Sequence, residues 1–535
     1  NETPIQQTNY GLLKLSSTYK PSTNFQFDYD VLAKKSNQTE NSTITRETTV
    51  NSVSTLDNIS TYKKQDPSSV NQNFSIYYTL KEKSVFDVEI QHLYQEEDPF
   101  YNANLGTKPF IFPINNTPIN VLGYDVSQTR TDLNQSRFVK TNKLDSKLDY
   151  YYMVTPKSNF NVTLGNTYSY QNFNSYIFQM LDNGFRNDLN SAVDSNQVTY
   201  NFNDAFVGLH YKMLLGKVTI TPGFSQHFYN MKNQQLGTDV TKSFNKFLPD
   251  VFMLYQIKKA ETLSYNYSFT NVFTDISQLV QGYILNGYSS LFTGNRDLEN
   301  ATSQVHSLRY FKYNMFNFEN IFANASYSRT TSPVKSDVTI FGPNQLSTPR
   351  NNTNFPDQTA TGMGTYGRSF LKNYKASVSA NVNWSKFTNT QNAVVSTAES
   401  FTQSYSVKAS TMFKKIPNIE FGYTTTINDY NHSRFNTNTP SVSVDYYFLD
   451  GFSFVTDCQF YHYFNADKTI DTKYQFFNAS LNYQKKDSKF EYKIAATNLL
   501  NTNSLNSNNF NQFNISTSQY IVQPRYIIFS LKYNL

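Results

Sequence analysis

"RYIIFSLKYNL" (residues 525–535) closes the chain. Side chains of an extended strand alternate between its two faces. Ile527, Phe529, Leu531, Tyr533 and Leu535 therefore share one face, and Ser530, Lys532 and Asn534 share the other. The question this stretch poses is what covers the apolar face.

The same alternation recurs along the whole sequence. Phe74, Ile76, Tyr78 and Leu80 face away from Ser75 and Thr79, and Phe86, Val88 and Ile90 face away from Asp87, Glu89 and Gln91. Leu263, Tyr265, Tyr267 and Phe269 oppose Ser264, Asn266, Ser268 and Thr270. Further on, Phe477, Ala479, Leu481 and Tyr483 oppose Asn478, Ser480, Asn482 and Gln484, and Phe490, Tyr492 and Ile494 oppose Glu491 and Lys493. A period of two predicts strands rather than helices. Many run to 11 residues or more, long for a soluble sandwich, whose strands average about 5–6 residues, but suited to tilted strands crossing a bilayer.

Composition supports a wall with one dry and one wet side. Tyr (41) and Phe (45) dominate an aromatic fraction of 16%, with a single Trp. Charged residues make up 16%, against about 25% in ordinary soluble chains; Asn, Ser, Thr and Gln fill the difference. Net charge is +6, from 46 basic and 40 acidic residues dispersed along the chain. No block of Lys and Arg forms a nucleic-acid arm. One cysteine, Cys458, excludes an internal disulfide framework or cysteine cluster. No apolar run approaches the roughly 20 residues of a spanning helix.

The connections fall into two kinds. Short ones include "YKPST" (19–23), "KEKS" (81–84), "TPKS" (155–158), "LGK" (215–217), "KKAE" (258–261), "KKIPN" (414–418), "LDG" (449–451) and "KDSK" (486–489). Long polar stretches lie at 97–135, 180–197, 273–300, 331–356 and 501–517. Short turns at one end and long loops at the other are the layout of an outer-membrane barrel. The expectation is all-β: a transmembrane antiparallel barrel of about 22 strands, with short periplasmic turns and long extracellular loops. About 21 strands are counted here, the first at roughly 9–20. An even number then places one upward strand before Asn1, so 1–535 is expected to be a barrel domain lacking its first strand. In that reading, lipid covers the apolar face of the last strand, and closure removes the unpaired edge.

Three stretches resemble the barrel of TonB-dependent outer-membrane receptors. In "GNRDLENATSQVHSLRYFKY" (294–313), Gly294, Asn295, Leu298 and Glu299 or Asn300 match the family's Gly-Asn-Pro-x-Leu-Lys-Pro-Glu segment, without its prolines. "ATNLLNTNSL" (496–505) is similar to the Asn-Leu-Phe-Asn before the last external loop. The terminal "PRYIIFSLKYNL" resembles the assembly signal read by the barrel-insertion machinery, with Leu535 in place of the usual Phe. The Tyr/Phe/Asn-rich, Lys-biased style resembles receptors of the Bacteroidetes type. The resemblance implies a nutrient-uptake receptor in the bacterial outer membrane, bilayer-embedded and worked by a TonB-type energising protein if a plug is present. No plug is visible between Asn1 and the first strand, so the barrel domain 1–535 is expected to lack an upstream plug domain as well as its first strand. The alternative is a receptor-like barrel acting as a structural or accessory subunit of a larger assembly for insertion, secretion or lipoprotein-lidded uptake. A surface lipoprotein or other outer-membrane subunits would then be its partners.

Enzymatic and cofactor motifs are missing from the sequence: there is no Gly-x-Ser-x-Gly elbow and no P-loop. His92, His210, His227, His306, His432 and His462 stand singly, and His92 and His462 alternate in step with apolar neighbours, as girdle residues do. Glu96, Glu97 and Asp98 are read as the charged end of a strand rather than a cation site. Gly362, Gly364 and Gly367 are read as bends in a strand. Cys458 is read as a small lipid-facing hydrophobe. No catalytic, cofactor or metal residue is assigned, and the ligand residues are left unknown.

Overall fold

The computed structural model describes residues 2–534 other than 51–52, 115–116, 190–194, 352–353, 432 and 511–514. Almost all of it is strand; the one helical segment among the described residues is the 3-10 turn Ile276–Gln278. Among the described residues, twenty-one wall strands form a meander in which each pairs antiparallel with the next. The first seven are Glu2–Ser22, Phe25–Val50, Ser68–Lys81, Ser84–Glu97, Thr131–Thr155, Ser158–Met180 and Ser195–Leu215. The next seven are Val218–Gln235, Thr238–Lys258, Glu261–Val272, Ala301–Asn314, Glu319–Thr331, Asp357–Phe370 and Tyr374–Gln391. The last seven are Val394–Thr411, Asn418–Tyr430, Ser433–Phe448, Phe452–Asn465, Asp471–Tyr483, Phe490–Thr497 and Tyr526–Tyr533.

Register converts the alternation into two surfaces. On one face the direct partners run Phe25, Tyr78, Phe86, Tyr150, Val162, Leu209, Phe224 and Pro249. The same face continues through Tyr255, Leu263, Tyr310, Ala323, Gly364, Ala380, Tyr405 and Thr425. It ends through Tyr446, Phe454, Leu481, Ile494 and Phe529. Not one charged residue interrupts these rows. The opposite face carries Glu89, Lys147, Gly165, Phe206, His227 and Lys246 in one row. It carries Ser264, Arg309, Asn324, Met363, Asn381, Ser404, Thr426 and Thr437 in another.

The polar face is the concave one. A single connection, residues 273–300, bonds to strands Thr131–Thr155, Ser195–Leu215 and Val218–Gln235 through side chains on that face. It packs as well on Ile44, Ile59 and Ile177. One loop reaches so many strands only across the inside of a curled sheet. The wall is thus an antiparallel barrel with an apolar outside and a polar lumen, the arrangement of a transmembrane barrel. Cys458 lies on the apolar face between Val442 and Phe477. The two end strands, Glu2–Ser22 and Tyr526–Tyr533, each pair on one edge only among the described residues.

Three sequence expectations need amendment. The first strand starts at Glu2 rather than near residue 9, pairing out to Ile44. Tight turns are not confined to one end: Leu236–Gly237 and Asn392–Ala393 link strands at the long-loop end. Both residues of each turn have positive φ, between 48° and 67°, the twist that suits a two-residue hairpin. Gly362, Gly364 and Gly367 bend nothing, since Asp357–Phe370 keeps unbroken register with both neighbours. Leu535 and His432 lie outside the described residues.

Candidate functional site: the mouth at the long-loop end

Most of the buried large side chains gather at one end of one sector. Inward residues at the tops of the strands between residues 131 and 235 (Leu133, Phe173, Ile177, Val198, Tyr200, Tyr229 and Met231) are buried, although they would face an open lumen in a bare barrel. Segments read from sequence as polar loops cover them. Residues 273–300 fold into a hairpin, Tyr283–Gly287 with Ser290–Thr293, entered by the 3-10 turn. Leu285 and Leu291 join a core with Ile44, Ile59, Leu105, Phe110, Leu122 and Tyr124. Ile276, Leu279, Val280, Ile284, Phe292 and Leu298 join a second core over Phe173, Val198 and Tyr229. A further hairpin, Val334–Phe341 with Asn344–Asn351, extends this cap by parallel pairing of Gln345–Ser347 with Ser290–Phe292.

Backbone N–H and C=O groups drawn into a mouth must be bonded, because a buried unpaired group costs about 1–3 kcal/mol. Four wall carboxamides do this in pairs. Gln135 accepts from Leu285 N at 3.0 Å and donates to Tyr283 O at 3.3 Å. Gln235 accepts from Gln281 N at 3.1 Å and donates to Leu279 O at 2.8 Å. Asn196 accepts from Gly282 N at 2.8 Å and donates to Ser175 Oγ at 2.9 Å, with a longer contact of 3.5 Å to Tyr283 O. Gln179 holds the neighbouring connection, accepting from Asp125 N at 2.8 Å and donating to Asp125 O at 2.9 Å. An amide side chain has one donor and one acceptor edge, so it completes a strand-like pair where no strand is available. Neither Gln135 nor Gln179 exposes any surface.

The glycines of the cap fit this tight docking. A side chain at Gly282 would meet Ser195 O at 2.5 Å, and one at Gly294 would meet Gln278 O and Val280 O, each at 2.5 Å. Within the "GNRDLEN" stretch, Asn295 N donates to Gln278 O and Asn295 Nδ2 donates to Pro349 O, while Leu298 enters the second core. Arg296 donates to Thr238 Oγ1, Asn233 O and Thr238 O. Asn295 and Leu298, which match the family segment, therefore hold the cap to itself and in its core, while Arg296, where the family has proline, staples it to the wall. Asn498 plays a comparable part at the other motif. At φ 51° it accepts from Thr502 N and donates to Thr502 O and Gln523 O.

Loop 106–130 is fastened from both sides. Tyr124 donates its hydroxyl to Pro109 O at 2.7 Å, and burial pushes its pKa up. Asp182 accepts from Thr129 N and Thr129 Oγ1, and the Thr129 hydroxyl chiefly holds its carboxyl below the usual range. Asp57, buried, accepts from Arg46 at 3.1 Å, Gly106 N at 3.0 Å and Thr107 Oγ1 at 2.6 Å. Arg46 in turn lies 5.4 Å from the Tyr288 ring of the cap.

Beside the cap is a recess of about 180 Å³ of mixed lining, with Glu40, Lys63, Lys64 and Arg137 beside Phe100 and Leu285. Lys63 is paired with Glu40 and Lys64 with Asp66. The Nε of Arg137 is buried without a hydrogen-bond partner among the described residues.

The sequence candidates are dispersed around this site. Glu96 accepts from the Tyr94 hydroxyl and lies 3.4 Å from Lys140, Glu97 accepts from Gln95, and Asp98 accepts from Asp66 N at 2.7 Å. One carboxylate oxygen of each is engaged within the chain. His210 faces Asp250 at 3.0 Å, His227 lies between Asp204 and Ser225 at 2.9 Å from each, and His462 faces Asp471 at 2.8 Å. His92 bonds Gln72 and Asn142, and His306 bonds the Tyr265 hydroxyl. Among the described residues no group of three His, Cys, Asp or Glu is placed to hold a metal.

No family model matches the sequence, and no curated protein matches it. Several solved structures align over most of the chain. The ferric-catecholate import receptor Fiu of E. coli K12 aligns at 10% identity, covering 99% of this chain and 81% of its own, with a TM-score of 0.47. The copper transporter OprC aligns at 8% identity over 88% and 79%, TM-score 0.44. The siderophore receptor PirA of Pseudomonas aeruginosa aligns at 10% over 94% and 78%, TM-score 0.39. Likeness of this degree carries neither a ligand nor a mechanism across.

Proposed function

We propose that this chain is the wall of a bacterial outer-membrane receptor that takes up a nutrient, of the TonB-dependent type that the sequence motifs resemble. The observation that carries the reading is the mouth. A barrel meant as an open pore has no use for a cap pinned by Gln135, Asn196 and Gln235 over two apolar cores. A receptor needs a shaped external surface above a lumen that stays shut until worked. The lumen is polar, with Lys147 between Glu89 and Asp149 at 3.3 and 3.0 Å, and suits a hydrophilic passenger. The proposal includes one more strand between Glu2–Ser22 and Tyr526–Tyr533. These two run in the same direction and each has a free edge among the described residues, so a single antiparallel strand completes the alternation. A plug inside the wall and a TonB-type partner belong to the same proposal, as does the outer-membrane location.

Topology on intact cells tests it. In a Cys458→Ser background, Ser277→Cys in the cap and Asp487→Cys in a short turn are exposed to a membrane-impermeant maleimide. The proposal expects labelling of Ser277→Cys alone. It also expects a deletion strain to lose competitive growth on at least one limiting nutrient and to regain it with the complete gene, with rescue abolished when the proton-motive force is collapsed. Labelling of both sites, or rescue indifferent to the proton-motive force, overturns it.

A further inference from the structure

Most of the outer belt is filled by large side chains, but one sector is not. Between strands Glu319–Thr331 and Asn418–Tyr430 the cross-strand row narrows to Ala323, Gly364 and Ala380. Tyr366, Tyr405 and Tyr423 stand around it, and the result is an open groove of about 630 Å³ with an almost wholly apolar lining. Packing within the wall does not require the glycine at its centre, since a Cβ on Gly364 would meet nothing within 4 Å. Gly362 differs, because a Cβ there would lie 2.9 Å from Val382. The volume falls within the roughly 300–1,000 Å³ of ligand sites.

A charge marks one end of the groove. Arg368 lies two residues beyond Tyr366 on the same strand and face, about 7 Å along the chain, where Asp357–Phe370 ends in a short turn. Its Nε is out of water and without a partner among the described residues. The described contact of its guanidinium is the Phe370 ring, 5.5 Å away. The acid across from it, Glu319, is taken by Lys312 at 3.2 Å. A cation with no acid partner among the described residues, at the boundary where an apolar groove meets the turn end, complements a phosphate.

We propose that this groove holds one acyl chain of a phospholipid, with its phosphate on Arg368. The site needs only the lipid-facing belt and is independent of the transport reading. Hydrocarbon surrounds the belt, and a groove left unfilled forfeits the dispersion contacts of its lining. An ordered chain restores those contacts, and the charge-assisted bond to Arg368 distinguishes this lipid from the bulk.

Native mass spectrometry of the full-length protein, delipidated in detergent and then given phosphatidylglycerol, tests the site. Wild type is expected to retain one lipid. Gly364→Leu and Ala380→Phe, which fill the groove, are expected to weaken retention about tenfold or more, and Arg368→Gln several-fold. Val88→Leu, on another sector of the belt, should match wild type. Variants count only if their cooperative unfolding is unchanged; should both filling variants misfold, Arg368→Gln decides. Equal retention by wild type and the folded variants overturns the proposal. So does a wild type that retains no lipid, or a wild-type dimer that Gly364→Leu separates, which would make a second copy the occupant.

Discussion

The sectors on either side of the lumen are built from the same kind of strand yet hold themselves together differently. In the sector from Thr131 to Ser303, strand tops bury large side chains beneath a docked cap, and the interior there is a packed core. In the sector from Tyr374 to Tyr533, buried side chains are sparse: Thr388, Ala398, Phe435, Tyr474 and Asn498 among the described residues. Its inner face is rich in Ser, Thr and Asn, bonded across strands, as in Thr424 to Ser406 and Thr426 to Ser404. The wall therefore requires only ladder hydrogen bonds and an apolar outside. The additional core of the first sector serves the cap.

Substitutions in the two sectors should separate accordingly. Leu291→Ala removes a fully buried side chain from the cap's core and is expected to destabilise the cap by about 2–5 kcal/mol. Hydrogen exchange over 276–300 reads this, with the wall amides unchanged. Val407→Ala, on the 54% exposed outer face of the other sector, should leave exchange unaltered. Gln235→Leu strands Gln281 N–H and Leu279 C=O, at about 1–3 kcal/mol for each group that water cannot reach. Limited proteolysis should then cut the cap faster, while Gln403→Leu on the outer face changes nothing.

A finer contrast uses glycine. Gly294→Ala drives a methyl into two carbonyl oxygens and should cost about 1–3 kcal/mol of cap stability; Gly364→Ala enters open space and should cost nothing measurable. The smallest effect is one of pH. The pKa of Asp182 is lowered by its bonds from Thr129, so the stability it contributes is present above its ordinary value near 3.8 and is lost as pH falls through the lower, folded value. The Thr129 amide should keep its protection at pH 6 and lose it progressively as the pH is taken below 3.8, after correction for intrinsic exchange. Equal loss in both ranges would detach the loop from this carboxylate.

What the sequence disclosed follows from the range of each signal. Alternation is local, so the strands, their faces and most short turns were legible, as was the apolar face of Cys458; its neighbours there, Val442 and Phe477, come from the register. The cap was not. Its hairpin strands are four or five residues long, too short for a period to register, and its anchors act over great separations. Gln135 meets Leu285 across 150 positions, and in sequence it is one polar residue among many. "GNRDLEN" was recognisable as a pattern, but its work in stapling Asn295 to Gln278 and Arg296 to Thr238 depends on neighbours that only the fold supplies. The tight turns at the mouth were hidden by the polar sequence around them.

Alternation itself is open to a direct measurement. Single nitroxide labels placed in turn at residues 402–409, in protein reconstituted into bilayers, report collision with oxygen, which concentrates in lipid, and with a water-soluble nickel chelate. Oxygen access should peak at 403, 405, 407 and 409 and nickel access at 402, 404, 406 and 408, a strict period of two in opposite phase. Equal access at neighbouring positions, or maxima in the reverse phase, would contradict a wall that is dry outside and wet within.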